Sequence, residues 1–307
     1  MPPNWVEKLT TLWIYILLAV VWNLLAGFAG LVSVGQQAFF GASAYLTLRF
    51  VEWGLNPWAA LVVAAFAAGA LAIPLSFYVL KLRGGEFAIA TWVLAEVIRI
   101  IVMFDPLVQG DTGNSLIALN GYDPDIRRTI TYWLGLSAMA GFLFVTFKVL
   151  RSKTGSAAQA IRDDEEAALS VGVSVDRTKR IIFVLAAFGA GLAGSVWLAS
   201  AITFLPRTNF GVQWTVFMLF MVLVGGLKTF EGPIVGALIF FFLQEAFGDF
   251  GVWYLFGLGL VAIVFALWLP EGLWGRYQAR RGQELLPMGV WLKFGKNSSQ
   301  SDNMDSR

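Results

Sequence analysis

The 307-residue sequence contains no cysteine and no histidine, and only 14% of its residues are charged. The missing thiols and imidazoles exclude disulfide scaffolds, Cys/His metal sites, thiol nucleophiles and histidine-based catalytic triads. A net charge of +2 is too small to indicate nucleic-acid binding. Neither a G-x4-G-K-[ST] loop nor a dinucleotide fingerprint occurs, so we expect no ATP-hydrolysing site in this chain.

The residues that are abundant are apolar and aromatic. Hydrophobic residues make up 58% of the chain, and the mean hydropathy is +0.70. Soluble domains have roughly 45–50% apolar and about 25% charged residues, so this chain has too few polar residues to cover a water-facing surface. Its 26 Phe and 13 Trp suit lipid contact and interfacial belts. The composition therefore predicts an all-α polytopic membrane protein.

Continuous apolar runs mark the expected membrane spans, because a spanning helix needs about 20 mainly apolar residues. We expect about 8–10 transmembrane helices. The sequence offers nine candidates: Leu12–Phe28, Leu31–Phe50, Trp58–Leu80, Phe87–Phe104, Ile130–Leu150, Ile181–Phe204, Trp214–Leu227, Ile234–Phe247 and Val252–Leu269. The first run is expected to remain as a span, since no convincing cleavage site closes it. The second contains several polar residues, so we expect it to be broken or partly re-entrant.

The distribution of Lys and Arg predicts the orientation. Three basic segments fall on one side of a nine-span topology: the loop with Lys81 and Arg83, residues 151–180, and the tail from Arg276 onward. We assign that side as cytoplasmic, which places the N-terminus and the loop Asp105–Arg128 outside. Residues 1–275 then form a transmembrane domain, and residues 276–307 form a cytoplasmic tail whose Ser/Asn/Asp-rich end is expected to be disordered.

The longest polar stretch between spans is residues 151–180, RSKTGSAAQAIRDDEEAALSVGVSVDRTKR. Good helix formers in Ser156–Ser170 predict a helix, with apolar residues at Ala157, Ile161, Ala168 and Val171 near helical spacing. Gly172 would end it, and a second short helix near Asp176–Arg180 would lead into the next span. We call this helix–Gly–helix segment, residues 151–180, the elbow. It is either a docking element for a partner or a solvated connector.

Several segments resemble one transporter family. EEAALSVG, Glu165–Gly172, resembles the EAA-x3-G element of ABC importer permeases. Further blocks resemble segments of LivM-type permeases, the branched-chain amino acid uptake family, in that family's order: Asn23–Leu46, Leu82–Ile100, Val222–Ala237 and Leu269–Gly275. Two places depart from the family pattern. Gly35-Gln36-Gln37-Ala38-Phe39 stands where the family often has Gly-His-Ala-Ala-Phe, and the Gly-rich external motif at residues 110–115 is reduced. Both leave the substrate open.

The resemblance implies an ABC importer permease bundle with one cytoplasmic coupling-helix elbow. The resemblance also implies which residues of the elbow contact the ATPase and transmit its movement: Ala160, Asp164, Glu165, Glu166, Ala167, Ala168 and Gly172. The implied partners are a sister permease, two cytoplasmic ATPases that bind ATP, an extracytoplasmic substrate-binding protein and membrane lipid. The chain itself would have no cofactor, metal or catalytic residue. The implied location is the bacterial cytoplasmic (inner) membrane, with the C-terminus inside.

The implied cargo is a branched-chain or other hydrophobic amino acid moved by alternating access. Urea and short-chain amides, carried by relatives with similar permeases, remain alternatives. A stand-alone secondary transporter or channel is a further alternative. It would need a deep acidic site, and the one such residue, Glu96, can be neutralised by Arg99 at i,i+3. A membrane-embedded enzyme is poorly supported without His or Cys.

A polar cluster within the second span is the candidate translocation path: Ser33, Gln36 and Gln37. Polar groups inside the membrane are expensive and often functional, so these side chains could hydrogen-bond the polar ends of a zwitterion during passage. They could equally form hydrogen bonds between tightly packed helices. Both interpretations stay open at this point.

Overall fold

The computed structural model describes residues 3–281 and consists almost entirely of helices. In chain order these are α1 (Pro3–Trp22), α2 (Gln37–Glu52), α3 (Pro57–Val79), α4 (Gly84–Met103), α5 (Pro124–Leu150), α6 (Lys153–Asp163), α7 (Glu165–Ser170), α8 (Val175–Ala201), α9 (Pro206–Asn209), α10 (Gln213–Gly225), α11 (Gly232–Phe247), α12 (Val252–Trp268) and α13 (Gly272–Arg281). Two short strands, β1 (Asn114–Ser115) and β2 (Thr203–Phe204), pair antiparallel. The end of the predicted tail, residues 282–307, lies outside the described residues.

Each predicted span corresponds to one helix: α1 to α5, α8, and α10 to α12. Within residues 3–281, seven helical segments are long and apolar enough to cross a membrane: Trp5–Phe28, Pro57–Val79, Pro124–Leu150, Val175–Ala201, Pro206–Gly225, Gly232–Phe250 and Val252–Arg280. Of the other two, α2 has only 16 residues, and α4 contains Glu86, Glu96 and Arg99. The chain is therefore an all-α polytopic membrane protein, as the composition predicts.

Polar contacts show which end of the bundle each helix reaches. At one end, Arg83 pairs with Glu165 of the elbow at 3.4 Å, and Asn23 Nδ2 donates to the Thr229 carbonyl at 2.8 Å. We call this the elbow end. At the opposite end Arg128, near the start of α5, pairs with Glu7 near the start of α1 at 2.7 Å. The start of α1 and the elbow thus lie at opposite ends, in agreement with the nine-span topology.

Small residues allow the central helices to approach closely. A methyl group at Gly194 of α8 would overlap the Phe40 carbonyl of α2, and one at Gly236 of α11 would overlap the Met221 carbonyl of α10. Most of α1 is buried, whereas α12 lies almost wholly on the surface. Glycine at these positions therefore permits the close packing of neighbouring helices.

The second predicted span is broken, as expected from its polar residues. α1 continues as a π-helix over Asn23–Phe28, and the chain is non-helical from Gly30 until α2 begins at Gln37. Gly30 has φ +69°, and a Cβ there would lie 3.2 Å from the Cα of Arg162 in the elbow. We call residues 29–36 the crossing segment. It starts at the elbow end, and together with α2 it crosses the bundle.

Side chains of neighbouring helices hydrogen-bond to two backbone groups of the crossing segment. Trp22 Nε1 donates to the Ser33 carbonyl at 3.0 Å, and the Val34 N–H donates to Thr91 Oγ1 at 3.1 Å. Irregular backbone at membrane depth is tolerated only where protein or water meets its hydrogen-bonding groups. The crossing segment is therefore held between α1 and α4.

Candidate functional site

The elbow contains two helices separated by a break, where the sequence predicts a single helix over Ser156–Ser170. α6 ends at Asp163, and Asp164 has extended backbone angles, φ −158° and ψ 109°. Its carboxylate accepts from the N–H groups of Glu166 and Ala167, at 3.0 Å each, and so caps α7. The prediction of one helix is wrong because this cap starts a new helix.

The far side of the elbow also differs in part from expectation. Gly172, with φ +86°, follows the last turn of α7, so the predicted stop is confirmed. The prediction of a separate short helix near Asp176–Arg180 is wrong, because α8 begins at Val175 and continues to Ala201 without a break. The first turns of α8 are therefore rigidly joined to a membrane-spanning helix.

A buried ion pair fastens α7 to α8. Lys179 is only 6% exposed, and its Nζ lies 2.7 Å from Glu165 Oε2. Arg83 from the loop before α4 approaches the other carboxylate oxygen of Glu165 at 3.4 Å. Beneath α7, Ile161, Ala168 and Val175 form a small apolar cluster. Glu165 and Ala168, two of the predicted coupling residues, thus face the bundle.

A second link joins the elbow to α1. Arg162 Nη1 donates to the Gly27 carbonyl in the π-helix at 2.9 Å, and the guanidinium also pairs with its neighbour Asp163 at 2.7 Å. The helical segment ends at Ala29, and the last carbonyl groups of a helix have no intrahelical partner, so the Gly27 carbonyl is free to accept. This contact is not predictable from the sequence, since 135 positions separate the two residues. The link ends directly before the crossing segment.

The outward face of the elbow combines charge with exposed apolar groups. Among the predicted coupling residues, Asp164, Glu166, Ala167 and Gly172 are exposed, whereas Ala160 is half-buried. The four apolar positions do not form one stripe. Ile161 and Ala168 are buried, Ala157 is half-buried and Val171 is 78% exposed. Leu169, which the sequence does not single out, is 50% exposed beside Val171. Exposed apolar side chains among exposed charged residues are a feature of docking surfaces.

The three residues of the candidate path are all buried, and their contacts differ. Ser33 Oγ accepts from Gln36 Nε2 at 3.3 Å, within the crossing segment. Gln37 Oε1 accepts from Thr215 Oγ1 of α10 at 2.5 Å. Gln36 Oε1 is buried without a hydrogen-bond partner among the residues that the structure describes. Gln37 thus takes part in interhelical hydrogen bonding, while Ser33 and Gln36 bond locally.

Gln37 also lines a polar cavity of about 630 Å³ between α4 and the start of α10. The charged residues around the cavity are Glu96, Arg99, Asp111 and Arg207. Arg99 Nε lies 3.0 Å from each carboxylate oxygen of Glu96, so the predicted pairing is confirmed, and Asp111 lies 3.5 Å from Arg99. Arg207 has no ion pair within residues 3–281. Two carboxylates and two guanidinium groups leave the cavity lining with no net formal charge.

At the opposite end of the bundle from the elbow, Asp105 fastens the loop between α4 and α5. Its carboxylate accepts from the Tyr45 hydroxyl, the Arg49 guanidinium and the Leu107 N–H. Burial on its own raises the pKa of Asp105, but these hydrogen bonds outweigh it and hold the pKa below its ordinary value. Because α2 carries Tyr45 and Arg49, the loop is tied to the same helix that begins with Gln37.

A family model and a known permease each match most of this chain. The family model described as branched-chain amino acid transport system / permease component matches residues 4–268. The high-affinity branched-chain amino acid transport system permease protein LivM of Escherichia coli K12 is 29% identical over 296 residues, covering 87% of this chain and 69% of the relative.

Two further matches are partial or distant. The L-arabinose ABC transporter permease protein AraH of Azospirillum brasilense is 34% identical over 115 residues, covering 36% of this chain and 34% of that protein. Among solved structures, PsaBC from Streptococcus pneumoniae in complex with Fab covers 92% of this chain and 96% of that chain, at 14% identity and a TM-score of 0.48.

Proposed function

The chain belongs to the family of branched-chain amino acid transport system permease components, and from that membership we propose that it is the membrane subunit of an ATP-driven importer. A permease component of this kind is not itself an enzyme. The proposed cargo is a branched-chain or other hydrophobic amino acid, moved across the bacterial inner membrane by alternating access. The proposed partners are a sister permease, two cytoplasmic ATPases and an extracytoplasmic substrate-binding protein.

The observation that carries this proposal is the geometry of the elbow. Its outward face exposes Glu166, Ala167 and Val171, while its inward side is bonded to α8 through Glu165 and to α1 through Arg162. An ATPase that moves the outward face would therefore displace two membrane helices. A solvated connector would need neither the buried ion pair nor the long-range hydrogen bond.

The proposed mechanism follows these links. ATP binding closes the ATPase dimer and moves α7 with its bound helices. Through Arg162 and the Gly27 carbonyl, the movement reaches the crossing segment and then Gln37 at the cavity. ATP is bound by the partner subunits, and the permease performs no chemistry on its cargo, so it needs no cofactor of its own.

The cavity beside Gln37 supports an amino acid as cargo. Its lining has no net formal charge, so a zwitterion would meet no net Coulomb barrier there, and Arg207, which has no ion pair among the described residues, could receive the carboxylate of the cargo. Urea or a short-chain amide, the alternative cargo, would use hydrogen bonds alone. A stand-alone transporter is less well supported, because Arg99 already pairs with Glu96.

The coupling role is tested by Glu166→Lys and Gly172→Arg in the assembled importer. Both positions are exposed, so we expect normal membrane insertion with loss of cargo-stimulated ATPase activity and of uptake. Glu166→Lys is the decisive variant, because a side chain at Gly172 also strains a backbone with φ +86°. Lys153→Glu is the matched control: it reverses an exposed charge at the start of α6 and should leave uptake unchanged. Persistent uptake in both test variants would overturn the coupling role of the elbow.

The proposed orientation has its own test. The chain has no cysteine, so a single Ala167→Cys substitution gives one exposed thiol on the elbow. A cytoplasmic elbow, with the C-terminal tail on the same side, predicts labelling by a membrane-impermeant maleimide only after the cells are permeabilised. Labelling of intact cells would reverse the orientation.

A further inference from the structure

A groove runs along the outer surface of the bundle between α3 and α8. It has a volume of about 590 Å³, and its apolar walls include Phe66, Ala70, Ile73, Val184 and Phe188. Phe66 is 62% exposed and Ile73 is 46% exposed, so the groove faces away from the core. The small side chain of Ala70 leaves room for a ligand between the larger side chains.

The groove has one charged group, Arg180 of α8. Its guanidinium carbon lies 3.9 Å from the centroid of the Phe77 ring of α3. Its Nε is buried and has no hydrogen-bond partner, and within residues 3–281 the guanidinium forms no ion pair. The neighbouring Lys179 is already paired with Glu165. The terminal nitrogens of the guanidinium have no anionic partner among the described residues, and a phosphate oxygen would supply one.

The position of Arg180 along its helix matches the level of lipid headgroups. α8 begins at Val175, so Arg180 lies in its second turn, and Phe77 lies in the last turn of α3. From Arg180 to Phe188 the groove extends eight residues, or about 12 Å along the helix, towards the middle of the membrane. The guanidinium is therefore at the interface and the apolar walls are at the depth of acyl chains.

We propose that this groove binds an anionic phospholipid, with the phosphate on Arg180 and an acyl chain along Ala70 and Val184. Charge complementarity selects an anionic lipid, since a basic group between membrane helices at one interface attracts such headgroups. A free phosphate ion would leave the apolar part of the groove uncovered. This site is independent of the proposed cargo and ATPase partners.

The test measures phospholipid retained by the purified full-length protein. Protein exchanged into mixed micelles of phosphatidylglycerol and phosphatidylethanolamine is examined by native mass spectrometry. We expect bound phosphatidylglycerol to fall at least tenfold in Arg180→Gln. Ala70→Phe, which fills the groove at an exposed position and keeps the charge, should have the same effect. Arg177→Gln removes an exposed charge one turn earlier and should retain the lipid.

Three outcomes would overturn the proposal. The first is equal retention of phosphatidylglycerol by Arg180→Gln and the unmodified protein. The second is equal retention of phosphatidylglycerol and phosphatidylethanolamine by the unmodified protein, which would indicate ordinary annular lipid. The third is complete displacement by millimolar inorganic phosphate, which would indicate an anion site without a place for the acyl chain.

Discussion

The ion pair between Glu165 and Lys179 makes the sharpest prediction about how the elbow is held. Glu165→Gln preserves the shape of the side chain but leaves the ammonium of Lys179, only 6% exposed, without its counter-charge. Removing one partner of a buried pair costs about 3–5 kcal/mol. The Glu165 side chain is 24% exposed, so water can partly compensate and the lower value applies. About 3 kcal/mol raises the population of the locally opened elbow by roughly a hundredfold.

The measurement is a double-mutant cycle read by hydrogen–deuterium exchange of the peptide that contains α7. In Glu165→Gln the α7 peptide should exchange much faster than in the unmodified protein. In Lys179→Met the increase in exchange should be smaller, because Glu165 still has Arg83 nearby. The double variant should recover much of the protection, because no uncompensated buried charge remains. Additive effects of the two substitutions would refute the idea that this pair fastens the elbow.

Three other predictions concern single features. Asp164→Ala removes the cap of α7 and should cost about 1 kcal/mol, seen as faster exchange in α7 but not in α6. Gly35→Ala drives a methyl group into the Thr91 carbonyl and should lower stability by about 1–3 kcal/mol in a thermal melt, whereas Gly141→Ala, with open space around it, should not. Asp105→Asn should destabilise the loop between α4 and α5 by about 2 kcal/mol at neutral pH, seen as a lower melting temperature. Since the native pKa of Asp105 is lowered, its contribution is complete above the ordinary aspartate pKa of about 3.9 and is lost as the pH falls through the native value, so the two proteins should converge below that range.

Hydrophobic runs were sufficient to locate the spans because each span is a local property of composition. The break before Gln37 was also predictable, since polar residues interrupt an apolar run there. The break at Asp164 left a signal, an Asp followed directly by two Glu residues, which is typical of a helix start. Helix propensity over the surrounding residues concealed it.

Contacts between distant segments could not be predicted from the sequence. Nothing near Arg162 indicates that its partner is the Gly27 carbonyl, because a π-helix there depends on how α1 packs. The same holds for Arg180 on Phe77, and for the bonding of Gln37 to Thr215. The sequence shows which of these side chains can donate or accept hydrogen bonds, but their partners depend on how the helices pack.

The two polar links of the elbow have a mechanical consequence. Apolar packing resists compression strongly, but a small apolar contact resists separation only weakly, because little surface is re-exposed when it opens. The Arg162 hydrogen bond and the Glu165–Lys179 pair resist separation, while the cluster of Ile161, Ala168 and Val175 resists compression. A joint with both kinds of contact can carry load in both directions. In the proposed importer, the ATPase bound to the elbow would therefore pull the membrane helices as well as push them. The reversal of the movement would then not depend on elastic recoil of the membrane helices.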